Sequence, residues 1–164
     1  MDDQLVQSLI KCEKIITVKP KKEMQPDKRN PYTMRNDFSC TSIDGSKRFE
    51  VFFRYNTIIS HLFSIGLRYR SGEGTVILCR YNGKHEHKNK VADHRKFDDF
   101  HIHHLYDKQL SDETSSVLDA ETTDRYITFD QALLAFLIDC NIKDWQAVFP
   151  ELESKATQIS FEGM

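Results

Sequence analysis

The sequence predicts an α+β fold, with a single antiparallel sheet of about five strands and a helix at each end of the chain packed against it. Three patterns lead to this prediction. Apolar residues recur at helical spacing near the N-terminus, alternate with polar residues in the middle, and form a nearly continuous run after residue 128. With 164 residues, 39% of them hydrophobic, the chain is long enough to bury one core. We therefore expect residues 1–164 to form a single domain.

An amphipathic helix is predicted over residues 2–16. Its apolar positions follow the helical period, at Leu5, Leu9, Cys12 and Ile16. The next segment, residues 17–31, is polar and contains three prolines. Proline interrupts regular structure, so this segment is predicted to be an exposed linker.

The sheet is predicted over residues 32–106, where the apolar period changes to two. Asp44-Gly45 indicates a tight hairpin turn, because such a turn needs positive φ at its centre. The following strand alternates strictly, with Phe49, Val51, Phe53 and Tyr55 on one face. The run TVILCRY, residues 75–81, is typical of a central strand covered on both sides. FHIHHLY, residues 100–106, predicts a last strand.

The C-terminal third is predicted to contain an acidic surface loop, a buried helix and a tail. Residues 107–127 are acidic and rich in Ser and Thr, as expected of the loop. Thr128 and Gln131 fit a capping box, and the run FDQALLAFLIDC after Thr128 predicts a buried helix within residues 128–150. Residues 151–164 are predicted to be a loosely attached tail.

Composition predicts a cytoplasmic protein without a membrane span. The chain has no run of about 18 apolar residues, and its acidic N-terminus lacks the apolar core of a signal peptide. Its four cysteines are widely spaced, without a CxxC pair, which favours reduced core thiols.

The charge is divided unevenly along the chain. Residues 1–106 carry 19 basic and 13 acidic side chains, whereas residues 107–164 carry 4 basic and 12 acidic ones. A basic body favours RNA or a nucleic-acid-binding protein as a partner. An ordinary solvated surface explains the same charges, and the sequence leaves both interpretations open.

Six of the seven histidines lie between Cys79 and Tyr106. His101 and His103 are two residues apart on a predicted strand, so both should point to one face, with His104 on the other. Two neighbouring imidazoles can act as acid and base, or bind a metal with a third ligand. For the metal site, the candidate ligands are His85, His87, His101 and His103. Solvated or structural histidines remain the alternative.

Three arginines are candidates for phosphate binding. Arg80 ends the predicted central strand, and Arg68 and Arg70 are predicted on the same face of its neighbour. A guanidinium group can hold a phosphate through two hydrogen bonds. The alternative is that these arginines pair with nearby acids. The patterns GxxxxGK[ST], GxGxxG, HExxH and GxSxG are absent, which argues against those enzyme classes.

At these residues the chain resembles the TumE-type toxins of bacterial toxin–antitoxin modules. The resemblance covers roughly residues 34–140 and includes Arg80, Tyr81, Asn82 and His85, then His101, His103 and His104. The chain departs from the pattern at Asn82, where an acid is expected, and in the missing proline and long loop before the second histidine group. The resemblance implies a small bacterial or phage protein that acts on RNA inside the cell, with a cognate antitoxin as a possible partner.

Three functions are compatible with these patterns. The first is a histidine-dependent ribonuclease that needs no cofactor, with His101 and His103 as acid and base, His85 assisting, and Arg80 holding the phosphate. The second is a non-catalytic inhibitor or anti-defence protein that binds a nucleic-acid-associated partner. The third is a metal-binding module that uses the histidines for zinc or another divalent metal.

Overall fold

The computed structural model describes residues 2–85, 87–88, 96–105 and 120–162, with the backbone alone for 87–88, 96–97 and 158–162. Most of the predicted acidic loop, residues 107–119, lies outside this description. The helices are α1 (Asp3–Lys11), α2 (Phe129–Asp139), α3 (Trp145–Val148) and α4 (Leu152–Glu162). The strands are β1 (Lys14–Val18), β2 (Gln25–Pro26), β3 (Thr33–Ser42), β4 (Arg48–Asn56), β5 (Phe63–Ser71), β6 (Gly74–Asn82), β7 (His87–Lys88), β8 (Lys96–Phe97), β9 (His101–His104) and β10 (Ala120–Thr122).

The prediction of about five strands was wrong, because the main sheet has eight strands within the described residues. Seven strands follow the order β1-β3-β4-β5-β6-β9-β10, and β2 pairs with β3 beside β1. Every pairing between these strands is antiparallel. The strands of this sheet that the sequence did not predict, β1, β2 and β10, have five residues or fewer. Such short strands pair through backbone hydrogen bonds like the long ones. They contain too few residues, however, for the alternation of apolar and polar side chains to be recognised in the sequence.

The predicted boundaries at the two ends of the chain also change. Helix α1 ends at Lys11 rather than at residue 16, because residues 14–18 pair with β3 instead. The predicted linker, residues 17–31, contains strand β2. The predicted tail, residues 151–164, contains α4, whose Leu152 and Ala156 are buried. These two residues are four apart and therefore share one helix face.

The two faces of the sheet differ in chemistry. Apolar residues of α1, α2 and α4 cover one face and form the core with the aromatic residues of β3, β4 and β5. The predicted N-cap is confirmed, since Gln131 N donates to Thr128 Oγ1 at 3.1 Å, and the Gln131 side chain accepts from Ile127 N, one residue before the cap, at 3.0 Å. The other face is polar, as is common for antiparallel sheets. No helix in the described ranges is long and apolar enough to cross a membrane.

The four cysteines are free, and three of them are buried in the core. Burial raises the pKa of the Cys40 thiol to about 12. A thiol reacts as its thiolate, so Cys40 is protected from oxidation by its surroundings.

A fully buried lysine joins the two ends of the chain. Lys14 Nζ donates to the carbonyl oxygens of Ile10 at 2.7 Å, Cys12 at 2.9 Å and Cys140 at 2.9 Å. These carbonyls lie at the C-terminal ends of α1 and α2, where the helix dipole favours a positive charge. The ammonium group also lies 4.7 Å from the centre of the Phe49 ring. One side chain thus fixes both helices to the sheet.

We expect Lys14→Met to lower the free energy of unfolding by about 3 kcal/mol, because buried carbonyl oxygens would lose their donor. Urea denaturation followed by circular dichroism measures the change. The matched control is Lys28→Met, at an exposed position, which should change the value by less than about 0.5 kcal/mol. A similar loss in both variants would contradict the role of Lys14.

Candidate active site

The pairing of β5, β6 and β9 places the site residues on the polar face. Asn82 of β6 lies opposite Ser64 of β5 and His101 of β9. Arg80 lies opposite Gly66 and His103 in the next row. Paired residues on antiparallel strands point to the same face. The prediction that His101 and His103 share a face is therefore confirmed, and His104 lies on the opposite face with Ile102, also as predicted.

His85 reaches the same place from outside the strand. After β6, the chain stays close to the start of β5 through two backbone hydrogen bonds, Gly83 N to Phe63 O at 2.9 Å and Lys84 N to His61 O at 2.8 Å. A Cβ atom at Gly83 would lie 1.8 Å from the carbonyl oxygen of His61, so this approach requires glycine. The turn brings His85 back over the sheet.

Three of the predicted histidines form one cluster. The ring centres of His85 and His101 are 4.5 Å apart, and those of His101 and His103 are 4.8 Å apart. One ring nitrogen from each of the three residues lies within 4.8 Å of the other two. His101 and His103 are 0% exposed, whereas His85 is partly exposed. We call these three residues the histidine cluster.

Asn82 connects the members of the histidine cluster. Its Nδ2 lies 3.2 Å from His85 Nε2 and 3.4 Å from His101 Nε2. The Ser64 hydroxyl donates to Asn82 Oδ1 at 2.7 Å, which turns the NH₂ group toward the two imidazoles. Because the NH₂ group of Asn82 can only donate, it favours the tautomers in which the Nε2 atoms of His85 and His101 accept with a lone pair.

The tautomer of His101 follows from a second hydrogen bond. His101 Nδ1 lies 2.7 Å from the carbonyl oxygen of Asp99. A carbonyl oxygen can only accept, so Nδ1 carries the proton and Nε2 presents its lone pair in the neutral ring. The Tyr126 hydroxyl lies within 2.9 Å of the carbonyl oxygens of both Asn82 and His101, which ties the two strand ends together.

A cavity of about 340 Å³ lies beside the histidine cluster. Its polar lining includes Arg54, Ser64, Arg80, Asn82 and His85. Burial lowers the pKa of the Arg80 guanidinium, and the nearby charge of Arg54 lowers it further. The Arg80 Nε atom is buried, and among the described residues it has no hydrogen-bond partner. A cavity with two like-charged guanidinium groups favours an anionic ligand.

Arg68 and Arg70 share this face but are held elsewhere. Both donate to Glu50, at 2.7 Å and 2.6 Å, and Arg68 also lies over the Phe52 ring at 4.2 Å. Partial burial raises the pKa of Glu50, but the two arginines outweigh it and leave the pKa below its usual value. Of the three predicted phosphate ligands, only Arg80 lines the cavity.

Two residues of the site were not predicted as such. Asn82 was considered as a departure from the family pattern, although its spacing of two from Arg80 places it on the same strand face. Arg54 alternates with Phe53 and Tyr55, which is the pattern of a residue on the polar face. His87 lies on β7 opposite Phe97, and its side chain lies outside the described part, as does the whole of His94.

The fold and the site define an α+β protein with a histidine cluster on the polar face of its sheet. A family of unknown function, DUF6978, matches residues 1–142, and the chain belongs to this family. The matched residues include the complete histidine cluster, both arginines of the cavity, and helices α1 and α2. No curated protein and no solved structure matches the chain.

We expect Gly83→Ala to lower the free energy of unfolding by about 2 kcal/mol, because the new methyl group overlaps the backbone of His61. The variant should also move His85 away from Asn82, which would shift the His85 imidazole resonances in NMR spectra. The control is Gly72→Ala, since a Cβ atom there meets nothing within 4 Å. Unchanged stability of Gly83→Ala would show that this close approach is not needed.

Proposed function

We propose that the protein cleaves phosphodiester bonds in RNA, with the histidine cluster transferring protons and Arg80 and Arg54 binding the phosphate. The observation that carries the proposal is the cavity itself, in which an imidazole adjoins two guanidinium groups. Phosphodiester cleavage needs both components, because a proton must move at each of two oxygens while negative charge grows on the phosphate.

The electrostatics of Arg80 favour a phosphate ligand. Its charge is largely desolvated, and Arg54 repels it. Desolvation of a charge is unfavourable, so a bound anion would stabilise this guanidinium group. A phosphate oxygen could accept a hydrogen bond from the buried Nε atom and other guanidinium N–H groups, in the paired geometry that arginine forms with phosphate.

Two imidazoles in contact suit a proton relay. The ring centres of His85 and His101 are 4.5 Å apart, and His85 is the member of the pair that lines the cavity. His85 takes the proton of the 2′-hydroxyl, whose oxygen then forms a bond to phosphorus, and His101 can receive that proton from His85. The bond from phosphorus to the 5′-oxygen breaks, that oxygen takes a proton from water, and the imidazoles return theirs to water. The products are a 2′,3′-cyclic phosphate and a 5′-hydroxyl.

The positions of the histidines change the assignment of roles. Sequence patterns favoured His101 and His103 as the reacting pair, but both are fully buried, and His85 lines the cavity. We therefore assign contact with the reacting oxygen to His85. His101 is its proton-transfer partner, and His103 lies behind His101. Asn82 positions both His85 and His101.

We expect His85→Ala and His101→Gln each to lower the rate of RNA cleavage by at least about 100-fold, the usual effect of removing a general acid or base. Purified protein and a labelled RNA measure the rate. The resemblance to TumE-type toxins adds growth arrest on induction in bacteria as a second readout. His61→Ala is the control, because His61 is exposed and outside the histidine cluster.

Full activity of His85→Ala would contradict the assignment. If the wild-type protein neither cleaves RNA nor arrests growth, a non-catalytic inhibitor that binds a protein partner becomes the better explanation.

A second candidate function is metal binding by the same histidine cluster. Zinc bound by imidazoles has Zn–N distances of about 2.0–2.1 Å, so the nitrogens of a tetrahedral site lie roughly 3.4 Å apart. The three ring nitrogens lie within 4.8 Å, so small rotations would bring them into range. The hydrogen bond from His101 Nδ1 to a backbone carbonyl is also the usual support of a metal-binding imidazole.

The effect of zinc on RNA cleavage distinguishes the two candidate functions. If the imidazoles act as acid and base, added zinc should inhibit RNA cleavage, because ligation occupies the lone pairs that the reaction needs. If the site is a metal centre, the untagged protein should retain about one zinc per chain, and chelation should stop its activity. Elemental analysis with cleavage assays decides between them. His101→Gln should lose bound zinc, whereas His61→Ala should retain it.

A further inference from the structure

We infer that a second, larger groove binds the single-stranded RNA segment next to the cleaved phosphate. This inference takes its ligand class from the proposed function but concerns other residues. The groove has a volume of about 1250 Å³, more than a typical small-molecule pocket. It lies at the ends of β4 and α2, on the helix-covered side of the sheet. We call it the lysine groove.

Aromatic rings line the lysine groove. Phe129 and Phe149 are half-buried there and pack on the buried Phe53, and the half-buried Tyr55 packs on Phe129. The ring centres of Tyr55 and Phe129 are 5.2 Å apart, and those of Phe53 and Phe149 are 6.1 Å apart. Unpaired bases of any nucleotide sequence stack on partly exposed aromatic rings. A duplex keeps its bases paired inside, so this lining favours a single strand.

The charges of the lysine groove complement a phosphate backbone. Lys19, Lys21 and Lys22 come from the segment after β1, and Lys155 comes from α4. The acids in the lining are Asp130 and Glu151. Burial raises the pKa of the Asp130 carboxyl, and Lys155 offsets this only in part. The four lysines outnumber the two acids.

The lysine groove and the cavity beside the histidine cluster lie on opposite faces of the sheet and meet at the end of β4. Tyr55 and Asn56 line both of them. Asn56 Oδ1 accepts hydrogen bonds from Ile58 N at 2.9 Å and Ile59 N at 2.8 Å, which fixes the loop between β4 and β5. A strand whose phosphate lies at Arg80 can pass over the end of β4 and continue along the lysines. The arrangement thus provides a path for several nucleotides.

Fluorescence anisotropy with a labelled 2′-O-methyl RNA decamer tests the inference. This probe lacks the attacking hydroxyl, so binding is measured without cleavage. The double variant Lys21→Gln/Lys22→Gln should bind at least fivefold more weakly. Its slope of log affinity against log salt should fall by about 1.4, because each lost contact with a single strand contributes about 0.7. The control Lys11→Gln/Lys28→Gln changes two exposed lysines outside the groove and should bind like the wild type.

The stacking surface is tested at Tyr55. Tyr55→Leu should weaken binding of the decamer roughly tenfold, whereas Tyr55→Phe, which keeps the ring, should bind normally. A decamer without bases cannot stack on the ring, so it should bind Tyr55→Leu and Tyr55→Phe with the same affinity.

Absence of wild-type binding, or equal losses in the groove and control lysine variants, would overturn the inference. RNA that is bound in the groove but never cleaved would reject the proposed ribonuclease activity while supporting the groove.

Discussion

The register of β5, β6 and β9 is the constraint on which the site depends. It aligns Ser64, Asn82 and His101 in one row across the sheet. A slip of one residue would move the histidines to the helix-covered face. The register is held from that other face, where Tyr81 packs on Phe136 with ring centres 5.4 Å apart and donates to Asp139. Packing of apolar residues on one face therefore positions polar residues on the other.

The buried polar groups of the site form a network that satisfies most of its members. Ser64 orients the Asn82 amide, the amide contacts two imidazoles, and the Asp99 carbonyl fixes the tautomer of His101. Such a network specifies one arrangement, because each alternative leaves a buried group unsatisfied. Arg80 differs, since its buried Nε makes no hydrogen bond within the described residues. The protein thus maintains a desolvated cation next to preorganised imidazoles, an arrangement that an anion would stabilise.

The same strand that supplies Arg54 to the cavity supplies Tyr55 to the lysine groove. These neighbours point to opposite faces of β4, so the strand end carries a phosphate-binding group on one side and a stacking surface on the other. An extended strand of RNA would need both chemistries within a short distance. Lys14 supports the helical wall behind the groove, because it joins the ends of α1 and α2.

The sequence by itself determined the features that depend on neighbouring residues. The long strands, the turn at Gly45, the N-cap at Thr128, and the shared face of His101 and His103 all follow from local periodicity or local backbone requirements. Only the tertiary structure decided the rest. The short strands β1, β2 and β10 form because a partner edge is present. His85 reaches the cluster through the turn at Gly83. Arg68 and Arg70 pair with Glu50 and therefore do not line the cavity. Arg54 lines the cavity from another strand, β4. Each of these outcomes depends on which distant residue lies across the sheet, and no local pattern contains that information.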